Sequence, residues 1–145
     1  MIIGNQDIIE RGNNMWIRIT KSEELELVSE NYVAFSDSFI EKLEFISGMT
    51  LTPDGDISYT SKNTFDESVK FEPFENTEIT LTIRSQLIPE GIVLRFKDIL
   101  KFNYDFSSGY DNILNENIIE FRGHRFHFKT DCFSVTSKIL EYKII

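Results

Sequence analysis

The sequence predicts a mainly β protein: a single domain of antiparallel sheets, sandwich-like or one strongly twisted sheet, with one or two short helices. Three observations predict it. Apolar and polar residues alternate with a period of two along several separate stretches. Pro- and Gly-bearing turn signals fall between those stretches. The length, 145 residues, suits one domain whose core buries roughly 68–70% of the unfolded surface, so neither a disulfide nor a metal is needed as a staple.

Residues 1–14 are a polar lead-in, and the β-rich domain is expected over 15–145. "MWIRIT" (15–20) opens it as a strand. "TKSEELELVSENY" (20–32) predicts a short helix, with Thr20 and Glu23 as a capping box and Leu25, Val28 and Tyr32 on one face. "SFIEKLEFIS" (38–47) fits a helix through Phe39, Ile40, Leu43 and Ile46, or a strand through Phe39, Leu43 and Phe45. The Thr-rich hairpin after it favours the strand. That hairpin, "LTPDGDISY" (51–59), turns at Pro53-Asp54-Gly55.

A polar loop, "SKNTFDES" (61–68), comes next. "EITLTIR" places Ile79, Leu81 and Ile83 on one face, and "LIPEGIV" turns at Pro89-Glu90-Gly91 into Ile92, Leu94 and Phe96. "LKFNY" continues with Leu100, Phe102 and Tyr104. An unbroken strand over 92–104 would span about 40 Å and put Asp98 on the apolar face, so a bend or bulge is expected at Lys97-Asp98. Residues 105–117 form a longer loop with a helical turn around Tyr110 to Leu114, and "KILEYKI" supplies a last strand through Leu140, Tyr142 and Ile144.

Chemistry concentrates in "FRGHRFHFKTDCF" (121–133), which holds both histidines and the only cysteine. A two-residue type II′ turn at Gly123-His124 pairs Arg122 with Arg125, Phe121 with Phe126, Glu120 with His127 and Ile119 with Phe128. The two imidazoles then point to different places, so a shared metal is awkward, and no standard zinc spacing exists. The opposed arginines want an acid or a ligand between them. Arg122, Arg125 and His127 are therefore candidates for receiving an anion or small ligand, with the 105–117 loop beside them.

Other motifs are missing. Asp54-Gly55-Asp56 would need Gly and Glu at positions occupied by Tyr59 and Phe65 to be an EF-hand loop. There is no Gly-rich phosphate loop, no Gly-x-Ser-x-Gly elbow and no paired carboxylates in an apolar setting, so no enzyme, catalytic residue, metal or cofactor is expected. The N-terminus lacks a basic start and no run of about 18 apolar residues occurs, so neither a secretory leader nor a membrane span is expected. None of the ten Asn begins a glycosylation sequon, and a cytoplasmic location follows as the expectation.

The net charge of −9 disfavours nucleic acid and favours a basic protein partner. Residues 1–90 carry 17 acids against 7 bases, whereas 91–145 carry 7 against 8. The expected contact residues are Glu23, Glu24, Glu26 and Glu30, together with Asp66, Glu67, Glu72, Glu75 and Glu78.

Three stretches, "FSDSFIEKLEF" (35–45), "VLRFKDILKFNY" (93–104) and "SKILEYKII" (137–145), occur in an order that resembles small bacterial β-rich proteins. Among these are immunity-protein families of polymorphic toxin systems. Those families often begin an early strand with aromatic-His-Asp-Ser; here Ser36 replaces the His, while Asp37 and Ser38 remain. The resemblance implies a β-rich domain with a partner-binding face that occludes a toxin, and it brings no catalytic residues.

Overall fold

The computed structural model describes residues 15–59, 77–105, 114 and 117–145. Within them the chain runs β1 (Ile17–Ile19), α1 (Ser22–Asn31), β2 (Ser38–Ile46), β3 (Met49–Leu51) and β4 (Ile57–Tyr59). After these come β5 (Glu78–Ser85), β6 (Ile92–Tyr104), β7 (Ile118–Arg122), β8 (Arg125–Lys129) and β9 (Phe133–Ile144). A single 3-10 turn, Val33–Phe35, follows the helix. The lead-in 1–14, the 61–68 loop and most of 105–117 lie outside the described residues.

Every strand pairing is antiparallel. Seven strands form one sheet in the order β2-β5-β6-β9-β8-β7, with β1 also on β9, while β3 and β4 make a separate hairpin. The architecture is thus mainly β with one α-helix among the described residues. Among the described residues the main body is one seven-stranded antiparallel sheet, with the β3–β4 hairpin apart from it.

Two long strands organise that sheet. β6 pairs with β5 over its first half only, while β9 accompanies it throughout. β9 in turn pairs with β8 through 134–137 and with β1 through 140–142. Two half-sheets therefore share β6 and β9, and both strands reset where the halves meet.

Asp98 takes a left-handed φ of 57°, and the β6–β9 register shifts between Ile99 and Lys101. The bend expected at Lys97-Asp98 is there, and it changes which side chains face inward. Ile92, Leu94 and Phe96 are fully buried, but beyond the bend Ile99, Phe102 and Tyr104 pack on the core. Ile99 takes the place expected for Leu100, because an inverted residue followed by a bulge shifts the alternation twice. Thr77 secures the bend: its carbonyl accepts from the Asp98 N–H (2.9 Å) and its hydroxyl from the Ile99 N–H (2.7 Å).

Helix α1 covers the core face. Leu25, Val28 and Tyr32 are buried as their spacing predicts. The capping box does not form: Lys21 is the N-cap and makes no side-chain cap. Thr20 lies one residue too early and donates instead to the Glu24 carboxylate at 2.9 Å. The core runs through aromatic contacts, Phe128 lying 5.3 Å from Phe35, 6.2 Å from Phe96 and 5.3 Å from Phe133.

The 38–46 stretch is a strand, with its inward set corrected. Ser38 and Ile40 are buried, a bulge falls between Ile40 and Lys42, and Leu43 then packs on the core. Phe39 is not part of the buried set, and Phe45 is 59% exposed at the strand's end. The Pro53-Asp54-Gly55 turn joins β3 to β4, with Gly55 at φ 87°. Pro89-Glu90-Gly91 leads into β6, where Gly91 exchanges two backbone hydrogen bonds with Ile145.

Candidate functional site

The helix carries the first candidate group. Glu23, Glu26 and Glu30 recur at helical spacing on the side of α1 opposite Leu25 and Val28, and all three are exposed. None forms an ion pair with another described residue. Glu24 is partly covered and held by Thr20. Glu30 lies in the last turn, where no basic residue is present, so its charge faces the negative end of the helix dipole. Glu78 is elsewhere: it opposes Lys97 on the outer side of the sheet, away from the helix. Asp66, Glu67, Glu72 and Glu75 lie outside the described residues.

The 122–127 hairpin forms with every pairing expected of it. Its turn is type I′ rather than II′, because Gly123 (φ 62°) and His124 (φ 59°) are both left-handed. Register places Glu120, Arg122, Arg125 and His127 on the outer side. The Glu120 carboxylate lies 3.4 Å from Arg122, supplying the acid that the opposed arginines want. His127 turns from Glu120 toward β9, its Nδ1 lying 3.2 Å from the Thr136 hydroxyl. The anion candidates thus share a surface, but Arg122 and His127 are engaged within the protein. His124 sits at the turn, its ring edge-on to Phe121 at 6.3 Å.

Cys132 belongs to the turn between β8 and β9. Thr130 accepts from the Cys132 and Phe133 N–H groups, each at 3.2 Å, and its hydroxyl is 3.4 Å from the thiol. The imidazoles and the thiol therefore serve three different pieces of structure. Among the described residues no three His, Cys, Asp or Glu gather as metal ligands.

A further cluster is one that the sequence does not single out. On the outer side of the sheet, Glu141 of β9 is 7% exposed. Its Oε1 accepts from Arg95 Nη2 (2.7 Å), Arg95 Nε (2.9 Å) and Lys97 Nζ (3.2 Å), and its Oε2 from Arg18 Nη2 (3.3 Å). Burial pulls this carboxyl upward, but hydrogen bonds and charge from Arg95 and Lys97 outweigh it and hold the group below its ordinary range. Trp16 flanks the cluster, with the Arg95 guanidinium 3.8 Å and the Lys143 ammonium 4.8 Å from its ring centroid.

A signal for the cluster is present but incomplete. Arg18, Arg95, Lys97, Glu141 and Lys143 occupy the polar positions of three alternating stretches. Only the β1–β9–β6 adjacency places those positions side by side.

Strain marks the corner between α1 and β2. Ala34, Phe35 and Asp37 all have φ between 51° and 59°, and Phe35 is fully buried. Asn117 holds the corner through its amide, which donates to the carbonyls of Ala34 (3.3 Å), Phe35 (3.0 Å) and Leu114 (3.2 Å).

No helix among the described residues is long and apolar enough to cross a membrane. Compared with known protein families, with curated proteins and with solved structures, the chain matches none.

Proposed function

We propose that this chain is a non-enzymatic interaction protein that binds a basic protein partner through the exposed acidic side of α1. The observation that carries the proposal is the exposed stripe of Glu23, Glu26 and Glu30, which no described residue neutralises by an ion pair. Carboxylates held on a helix, with no ion pair to another described residue, attract a basic surface and speed encounter with it. Glu30 is informative because it works against its own helix, a position where acid costs about 0.3–1 kcal/mol. A cationic partner supplies the charge that the helix end lacks. The resemblance to immunity proteins makes a basic toxin the first partner class to test, with inhibition by occlusion and the protein acting in the cytoplasm.

The experiment is co-expression with a toxin encoded beside this protein. Relief of growth arrest by the wild type, and its loss in Glu23→Lys/Glu26→Lys/Glu30→Lys with the fold intact, is the expected result. Arrest undiminished by the wild type would remove the toxin assignment. Relief equally strong with the triple variant would move the interface off α1. Glu30→Lys alone should stabilise the free protein by about 0.5–1 kcal/mol while weakening association, which denaturant titration and binding kinetics would separate.

A further inference from the structure

We infer that the outer side of the β1–β9–β6 half-sheet, around Trp16, Arg18, Arg95 and Lys143, is a binding site for a phosphate-bearing small molecule, separate from the acidic helix.

The first ground is charge. Among the described residues, Arg18, Arg95 and Lys97 meet there on a single buried carboxylate and Lys143 lies beside them on Trp16, a local excess of three positive charges on a chain whose net charge is −9. Among the described residues the nearest acids on this side are Glu41, paired with Arg84 at 3.3 Å, Glu44 and Glu78. Glu44 pairs with Lys42 at 2.8 Å and is separated from Arg95 by Thr80, while Glu78 opposes Lys97 at the far corner from Trp16. The excess is therefore concentrated at the Trp16 end.

The second ground is preorganisation. Burying a carboxylate beneath three cations gains little stability over an apolar packing, because desolvation offsets the attraction. It does fix the directions of the cations. Glu141 takes one nitrogen of Arg18 and two of Arg95, and the Arg95 guanidinium carbon also lies over the Trp16 ring at 3.8 Å. A guanidinium carries five N–H donors, so each arginine keeps donors beyond those given to Glu141, and Arg18 is 49% exposed. Lys143 touches the Trp16 ring and forms no ion pair with a described residue.

Fixed guanidinium forks beside an ammonium that no described carboxylate pairs match a phosphoryl group, which offers several acceptor oxygens and about two negative charges. A single carboxylate would balance less of the excess. Nucleic acid fits poorly, because the rest of the molecule repels a phosphate chain.

Trp16 is the only tryptophan, so its emission reports on the site directly. The test titrates inorganic phosphate and pyrophosphate into the full chain at constant ionic strength set with chloride, following both Trp16 emission and the thermal midpoint. Saturable changes are expected with pyrophosphate and not with chloride. Lys143→Ala and Arg18→Ala should each weaken binding about tenfold, as loss of a charge-assisted hydrogen bond does. Lys101→Ala, outside the cluster, should leave it unchanged. The site is overturned if emission and midpoint both stay flat up to about 10 mM pyrophosphate, beyond the range of ordinary metabolite affinities. It is also overturned if Lys101→Ala weakens the response as much as Lys143→Ala, which would mark general charge attraction. Neither result bears on α1, so this site and the acidic interface stand or fall separately.

Discussion

Tyr32 ties the helix to the sheet. Its hydroxyl donates to the Gly91 carbonyl at 2.6 Å, and burial, then Glu90, pushes the phenol well above its ordinary range, so it stays a donor at any physiological pH. Gly91 O also accepts from the Ile145 N–H at 3.0 Å. Tyr32→Phe therefore removes one hydrogen bond without orphaning the carbonyl, and should cost about 1 kcal/mol in chemical denaturation. A loss above about 3 kcal/mol would show that the hydroxyl also supports the neighbouring packing. Cys132 and His127 show why residue type alone misleads: each has a complete local role in a turn or a cross-strand contact.

The corner between α1 and β2 is where an element boundary is held against backbone preference. Each left-handed non-glycine residue costs about 1–2 kcal/mol, and three of them fall at Ala34, Phe35 and Asp37. Asn117→Ala should destabilise by about 2–3 kcal/mol, since the amide serves three carbonyls. Ala34→Gly should stabilise by about 0.5–1 kcal/mol, relief of strain outweighing the added chain entropy. Denaturant midpoints check both, and a destabilising Ala34→Gly would mean that the turn is not strained. The bend in β6 follows the same logic, with Thr77 satisfying the two N–H groups that the inverted Asp98 displaces.

Among the described residues, the two sides of the sheet carry different charge clusters. The helix on the core face presents carboxylates outward, and the opposite side of the sheet gathers arginines and lysines around Glu141. Because the Glu141 pKa is depressed on folding, its stabilisation is present above the unfolded value near 4.5 and is lost as pH falls through the folded one. Glu141→Gln should therefore cost about 2 kcal/mol near neutrality, a figure reduced from fully buried pairs because Arg18 is half exposed. That difference should shrink below about pH 4.5. Denaturant melts at several pH values would show the two proteins converging in acid. A constant gap would mean that shape, not charge, is what Glu141 provides.

The alternation of apolar residues, the Pro- and Gly-bearing turns and the hairpin register that pairs Phe121 with Phe126 and Ile119 with Phe128 were legible in the sequence, because each depends on neighbours within a few positions. So were the helix, its buried Leu25 and Val28, and the bend near Asp98, where an acid interrupted an apolar run. The exchange of Leu100 for Ile99, the exposure of Phe45 and the Glu141 cluster were not. Bulges shift the alternation by a single residue, and the adjacency of β1, β9 and β6 joins Glu141 to residues 123 and 46 positions away. Local pattern determines which residues can pair; only the folded sheet decides which of their charges come to lie together, because strand order is fixed by burying one shared core.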